Sequence, residues 1–338
     1  MQLYATPGNA IPQDPIVAPV RTSDGRLLRT ARWGARRSRG SVLVAVGRSE
    51  FVEEYFEVVE HLRARGFDVI VFDWRGQGLS TRECRHARRG HVRSFSGYRR
   101  DLEAVQRQVL SQMPKPWFAF AHSMGASILL DQAHDGASPF ERMVFSAPMI
   151  GLPLRRQAVL RPLIRLAARS GLAQRTILGG SETPVFALRP FEDNILTSDR
   201  AQYRRLEACA MGLPKLAVGA PTYGWVAGAF DLMDRFAHPR YAVEVTTPIL
   251  VVAAGADRIV DTAATERFAI RLKAGRCITL PHARHQVMME SEPILAKFWA
   301  AFDAFIPGEP AETHAHPGPI PHAPVPRPVR MPKARGLG

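Results

Sequence analysis

The sequence predicts an α/β architecture: a mostly parallel, doubly wound sheet with a helical lid inserted between later strands. Three observations carry that prediction. Short apolar runs alternate with segments of helical periodicity from residue 41 to residue 146, which implies parallel strands joined by right-handed helical crossovers. The alternation lapses over residues 148–246, where no strand of core quality occurs, and resumes at residue 249. At 338 residues the chain can bury a sizeable core, as one large domain with an insertion or as two domains.

Residues 1–14 are expected to be loose. Between 16 and 33, two alternating segments flank the polar turn Ser23-Asp24-Gly25, the pattern of a hairpin. Residues 41–46 form a continuous apolar run, as a strand covered on both faces requires. After the turn Gly47-Arg48-Ser49-Glu50, the residues Val52, Tyr55, Phe56, Val59 and Leu62 recur at three- and four-residue spacing. Gly66 then closes a helix over 51–65. Strand 69–73 runs into the glycine-rich loop Trp74-Arg75-Gly76-Gln77-Gly78-Leu79-Ser80. A helix over 98–113 turns Leu102, Val105, Val109 and Leu110 inward, and Pro114 and Pro116 separate it from strand 117–121. Helix 124–134 and strand 143–146 follow, and then the insertion. The late elements are strand 249–254, helix 262–273, strand 277–280 and helix 293–305. The core is therefore 15–147 with 247–306 and the lid 148–246. The tail, 307–338, is dense in proline and histidine, cannot bury a core and is expected to be disordered.

Net charge is +14 and the sequence pI about 10.6. The excess arginine clusters in Arg82, Arg85, Arg88, Arg89, Arg93, Arg99 and Arg100, and again in Arg155, Arg156, Arg161, Arg165, Arg169 and Arg175. Such a field attracts anionic surfaces within about 8 Å at physiological salt. No nucleic-acid motif accompanies it, so nucleic acid is not expected as a partner. Cys84, Cys209 and Cys277 are odd in number and in no metal-ligand spacing. With no apolar run near the roughly 18 residues of a membrane span and no secretory signal at the start, a reducing cytoplasm is expected.

Ser123 stands between strand 117–121 and helix 124–134, with Ala121 two residues before it and Gly125 two after. A turn that tight admits only small side chains at those positions, and it lifts the hydroxyl to the carboxyl edge of the sheet at a helix N-terminus. A serine hydroxyl is a weak nucleophile until a base takes its proton, and the base needs an acid to set its tautomer. In a doubly wound sheet both partners follow later strands, in the order serine, acid, histidine. Asp257, past strand 249–254, and His285, past strand 277–280, meet that requirement; Asp261 and His282 are their rivals. His122 reads as packing within the elbow. The oxyanion needs backbone donors: Met124, first in its helix, and the turn after the first parallel strand, where Arg48 is the candidate. No metal or organic cofactor is needed for this chemistry.

Over roughly 16–306 the chain resembles the α/β-hydrolases of the monoacylglycerol lipase and bacterial lysophospholipase branch. The resemblance rests on Gly47-Arg48-Ser49-Glu50, on Asp73-Trp74-Arg75-Gly76-Gln77-Gly78-Leu79-Ser80, on Ala121-His122-Ser123-Met124-Gly125, on Gly255-Ala256-Asp257-Arg258 and on the His285 segment. It implies Ser123 as nucleophile, Asp257 as acid, His285 as base, and Arg48 and Met124 as oxyanion donors. Two departures stand out: Val46 replaces the family's histidine before Gly47, and alanines replace glycines at 121 and 126. Pro221-Thr222-Tyr223-Gly224-Trp225 resembles the bacterial lysophospholipase-like members, so Tyr223, Trp225 and Gly47 are the substrate-binding candidates.

The expected function is cleavage of a carboxylic ester through an acyl-enzyme, with a lysophospholipid or monoacylglycerol as substrate. A small-acyl esterase, thioesterase or peptidase is the alternative within the fold. An inactive hydrolase-like scaffold on anionic membrane is the alternative of another class. In the lid, Leu160, Leu163, Ile164 and Ala167 are expected on one side of a helix with Arg161, Arg165 and Arg169 on another. That arrangement could rest on an anionic membrane at the inner face of the cell while its apolar residues admit an acyl chain.

Overall fold

The apolar runs pair into one eight-stranded sheet. The computed structural model describes residues 1–154, 157–183 and 190–306. Its strands are β1 (Ile16–Arg21), β2 (Leu27–Trp33), β3 (Ser41–Ala45), β4 (Asp68–Phe72), β5 (Trp117–His122), β6 (Arg142–Ser146), β7 (Ile249–Ala254) and β8 (Gly275–Leu280). They lie in the order β1-β2-β4-β3-β5-β6-β7-β8. The hairpin β1–β2 is antiparallel and joins β4 antiparallel, and every later pairing is parallel. The order reverses direction at β3, so the loops after β3 and β5 open side by side, the place where ligands collect in open α/β sheets.

Helices cover both faces. α1 (Phe56–Ala64) and α9 (Glu292–Phe305) share one face, where Phe120 meets Phe298 and Phe67 lies between Phe118 and Phe302. α2 (Phe95–Gln108), α3 (Met124–His134) and α8 (Thr262–Ile270) are the other core helices. Side chains alternate along β5, so with Phe118 and Phe120 toward α9 the small Ala119 and Ala121 face the opposite side, where α3 must return closely. Each buried phenylalanine contributes about 1.5–3 kcal/mol.

Boundaries moved where capping decided them. α2 begins before the periodicity suggests, because the Ser94 side chain accepts the Ser96 N–H. It gives way to a short 3-10 turn ahead of Pro114 and Pro116. α8 starts at the Asp261 cap and stops at Ile270. The N-terminal residues, expected to be loose, are held down. Asn9 donates to the Glu53 carbonyl at 2.8 Å, and the Trp33 indole donates to the Pro12 carbonyl at 3.2 Å.

Between Ser146 and Ile249 the described residues form α4 (Gln157–Ala167), α5 (Arg200–Gly212), α6 (Tyr223–Ala237) and the short α7 (Tyr241–Glu244), with no strand among them. Among the described residues no helix is long and apolar enough to cross a membrane. Arg155, Arg156 and the whole of the tail from residue 307 lie outside the described residues.

The arginine clusters are less free than their count suggests. Arg99 bridges Asp131 and Asp135 at 2.8 Å each, and Arg89 pairs with Glu182 at 2.8 Å. In α4, Arg165 pairs with Asp231 and Asp234 of α6, and Arg161 pairs with Asp234 while lying over the Phe230 ring. Arg161 and Arg165, expected to meet solvent or headgroups, are therefore turned onto α6, while Arg169 is exposed. Of the apolar side expected, Leu160 and Leu163 are exposed, whereas Ile164 packs against the core and Ala167 is half-buried; the exposed apolar strip is Leu163 (56%) with Val159 (58%) and Leu166 (65%). Asp231 and Asp234, three residues apart, supply the reason, because they offer α4 two carboxylates on one face of α6.

Candidate active site

The elbow is strained as the sequence required. Ser123, between β5 and α3, has φ 49° and ψ −116°, a conformation that costs a side-chain-bearing residue about 1–3 kcal/mol. The surrounding structure holds it there. Its N–H donates to the Ser146 carbonyl at 3.0 Å, and the carbonyl of Ser123 accepts the Met149 N–H at 3.2 Å. Gly125 is dictated by proximity: a Cβ there would collide with the Ala45 carbonyl oxygen and come within 2.6 Å of that of Val46. Ala121 and Ala126 are fully buried and tolerated.

The loops after β7 and β8 bring Asp257 and His285 to this serine. Nδ1 of His285 lies 2.7 Å from Asp257 Oδ2, and Nε2 lies 3.1 Å from Ser123 Oγ. An ionised carboxylate can only accept, so Nδ1 carries the proton and Nε2 is left to accept from the Ser123 hydroxyl. Asp257 is fixed in turn by the N–H groups of Ile259 and Val260, which donate to Oδ1 at 2.7 and 3.0 Å. Burial pushes its carboxyl pKa up, but the His285 charge and hydrogen bond, with those two N–H groups, more than offset this and hold it below the usual value. The rivals are elsewhere: Asp261 caps α8 through the Ala264 N–H at 2.9 Å, and His282 is exposed.

The turn after β3 is built around polar groups. Gln77 donates to the carbonyls of Gly47 and Glu50 at 2.7 Å each and accepts the Ser49 N–H at 3.2 Å. The Gly47 N–H donates to Glu50 Oε2. Of the turn's first three N–H groups, Arg48 alone has no acceptor among the described residues. Met124 is the first residue of α3, so its N–H has no intrahelical partner either. These are the two donors anticipated for the oxyanion. The Arg48 guanidinium points away, donating twice to the Gly219 carbonyl at 3.0 Å and lying 5.3 Å from the Trp225 ring. Trp225 is 5% exposed and donates to the Tyr98 hydroxyl at 3.2 Å. Of the three substrate-binding candidates, Gly47 and Trp225 are thus buried wall, and Tyr223 is half-buried at the start of α6.

Sequence reasoning assigned no polar role to Glu50, Gln286 or Glu290 beside this site, and it read His122 as packing. Glu50 and His122 meet behind His285. Gln286 donates to Glu50 Oε1 at 3.3 Å. Glu290 accepts the N–H groups of Arg284 (2.7 Å) and Ser198 (3.0 Å), tying the histidine loop to the insertion. The readable signal was Glu50 itself, a carboxylate placed right after a buried apolar strand, where water is scarce.

Sheet order, strained serine elbow and the Ser–His–Asp arrangement define an α/β-hydrolase. The chain belongs to the family described as serine aminopeptidase, S33, which matches it over residues 36–292. Lysophospholipase L2 of Escherichia coli (strain K12) is 31% identical over 279 residues, spanning 78% of this chain and 79% of that protein. Phospholipase YtpA of Bacillus subtilis (strain 168) is 26% identical over 230 residues, 68% of this chain and 80% of that protein. Among solved structures, a soluble variant of monoglyceride lipase from Saccharomyces cerevisiae, in complex with a substrate analog, shares the fold. Its TM-score is 0.70 at 19% identity, covering 87% of this chain and 96% of that one.

Proposed function

We propose that this protein is a serine hydrolase that cleaves the carboxylic ester of a monoacylated lipid, a lysophospholipid or a monoacylglycerol. The observation that carries the reading is the unbroken line from Asp257 through His285 to the hydroxyl of a strained Ser123. Ser123 Oγ attacks the ester carbonyl as His285 Nε2 takes its proton, and Asp257 stabilises the imidazolium. The Met124 and Arg48 N–H groups meet the oxyanion, each worth about 10²–10³ in rate. His285 returns the proton to the departing alcohol, then activates the water that releases the fatty acid. The relatives named lysophospholipase and phospholipase support the lipid class. The insertion acts as the lid, and the exposed apolar side of α4 makes peripheral contact with membrane on the cytoplasmic side.

Fatty-acid release from lysophosphatidyl lipids, monoacylglycerols and two- to four-carbon esters, measured side by side, tests the proposal. Long-chain substrates are expected to win by at least roughly tenfold in kcat/KM, the scale of a few buried methylenes. Preference for the short esters, or for an aminoacyl amide, would replace the lipid reading. Failure of a fluorophosphonate to label wild type would remove the hydrolase reading itself.

A further inference from the structure

Glu50 and His122 are both buried, 6% and 0% exposed, and neither reaches the reacting atoms. Their surroundings decide their charge. The Nδ1 of His122 lies 3.0 Å from the Ser146 carbonyl oxygen, which can only accept a hydrogen bond. Its Nε2 lies 3.2 Å from Glu50 Oε1, bent away from a hydrogen-bond line but at ion-pair distance. The other carboxylate oxygen, Oε2, accepts from the Tyr55 hydroxyl at 2.5 Å and from the Gly47 N–H. Each nitrogen of the ring thus faces an acceptor, and the carboxylate is surrounded by donors. A neutral imidazole would leave one nitrogen without a proton against an oxygen lone pair.

We infer that Glu50 and His122 form a buried carboxylate–imidazolium pair that acts as a positioning unit, fixing the Gly47 turn against the serine elbow and setting the charge behind His285. The inference rests on the serine-hydrolase reading for its kinetic consequence but not for the pair itself. Glu50 holds the turn through the Gly47 N–H, while His122 belongs to the strand that delivers Ser123. One ion pair therefore connects the two backbone segments that carry the anticipated oxyanion donors. The His122 ring also lies 4.7 Å from the His285 ring, so its positive charge opposes protonation of the base from one side while Asp257 favours it from the other.

The remaining neighbours do not cancel this arrangement. Burial pushes the Glu50 carboxyl pKa up, and His122, Tyr55 and the Gly47 N–H more than offset it, leaving it below the usual value. Burial and the Glu50 charge push the adjacent Glu54 well up, the direction opposite to that of Glu50. Tyr55 is likewise pushed up by burial and by Glu50, and it remains a hydroxyl donor. Arg48 sends its guanidinium to Gly219, and Arg284 sends its own to the carbonyls of Asn194 and Thr197.

Two-bond proton–nitrogen spectra of the full chain labelled with 15N-histidine, at about pH 7.5 where an ordinary histidine is neutral, test the pair directly. Among the chain's 11 histidines, a ring with both nitrogens protonated that vanishes in His122→Gln is expected. His134 also faces a carboxylate from each nitrogen, Asp135 at 3.3 Å and Glu244 at 3.1 Å, so a doubly protonated ring that persists in the variant does not count. A wild-type spectrum with only neutral rings overturns the inference, whether or not the variant folds. The kinetic arm uses a soluble short-chain ester. In His122→Gln the acid limb of kcat/KM is expected to move up by roughly half to one pH unit, as loss of a neighbouring cation would cause. Glu50→Gln/His122→Gln, with both charges gone, is expected to move most of the way back. Glu50→Gln alone should lower kcat by about tenfold or more with KM near wild type, from a misplaced turn. An acid limb unmoved in His122→Gln rejects the role behind His285. Wild type without esterase activity would remove the hydrolase reading and with it the kinetic role, while the spectrum still decides the ion pair.

Discussion

Gln77 closes the Gly47 turn from outside it, giving both protons of one carboxamide to the Gly47 and Glu50 carbonyls and taking the Ser49 N–H in return. All three contacts are to backbone, so the side chain acts as a clamp on the conformation of a turn that glycine alone would leave soft. Gln77→Leu keeps the volume and removes every one of these bonds. Two buried carbonyls and one N–H would lose partners, at about 1–3 kcal/mol each before relaxation. The turn would drift relative to Met124, and kcat is expected to fall by about 10- to 100-fold with KM changed less. Steady-state kinetics on a soluble ester decide it; a rise in KM with kcat intact would show that Gln77 serves substrate binding instead.

Strain at Ser123 makes an inverted stability order. In most places glycine is less stable than alanine, by about 0.5–1 kcal/mol. At φ 49° and ψ −116° only glycine is relaxed, so Ser123→Gly is expected to be more stable than Ser123→Ala by about 1–3 kcal/mol. Both variants lose the bond to His285, so the comparison isolates the backbone. Chemical denaturation measures it, and a more stable alanine variant would mean that the elbow stores no strain.

The three side chains at the centre were legible because each follows a strand, largely apolar before Ser123 and Asp257 and half-exposed before His285, at the one edge of the sheet where a polar group can be useful. Strands β3, β5 and β7 are almost wholly buried, so their hydrophobic runs had no other reading, and the serine, aspartate and histidine past strands β5, β7 and β8 stood out against them. What stayed hidden depends on partners distant in the chain. Nothing local says that Asn9 bonds Glu53, or that the Arg161 and Arg165 side of α4 turns inward, since that choice is made by Asp231 and Asp234 about 70 residues on. The Glu50–His122 pair was hidden for the same reason: the two residues are 72 positions apart, and only the β3–β5 pairing brings them together.

Asp257 gives the fold a measurable pH dependence. Its carboxyl is held below the usual value in the folded state, so the unfolded chain takes up the proton first. That stability is fully present above the unfolded value, near 4, and is lost as pH falls through the lower folded value. Asp257→Asn lacks the charge at every pH. The stability gap between variant and wild type is therefore expected to be widest at about pH 7 and to narrow by about pH 3. Denaturant midpoints at the two conditions test this, and a gap of constant size would mean that the charge of Asp257 contributes nothing.

On α4 the same logic separates charge from apolar contact. Arg161 and Arg165 are already paired with α6, and breaking such pairs to reach headgroups would return little, since exposed ion pairs are worth about 0–1 kcal/mol. Leu163 and Leu166, more than half exposed, have no such prior partner. Burying both in an interface would contribute about 2–4 kcal/mol, which is more than tenfold in partitioning. Leu163→Ser/Leu166→Ser is therefore expected to lower binding to lipid vesicles by at least about tenfold and to slow hydrolysis of vesicle-borne ester, with a soluble short ester cleaved as before. Arg161→Gln/Arg165→Gln should change vesicle binding far less. Co-sedimentation with neutral and anionic vesicles distinguishes the two. If the arginine variant loses binding and the leucine variant does not, α4 meets the membrane through charge, and its pairing with α6 must open on contact.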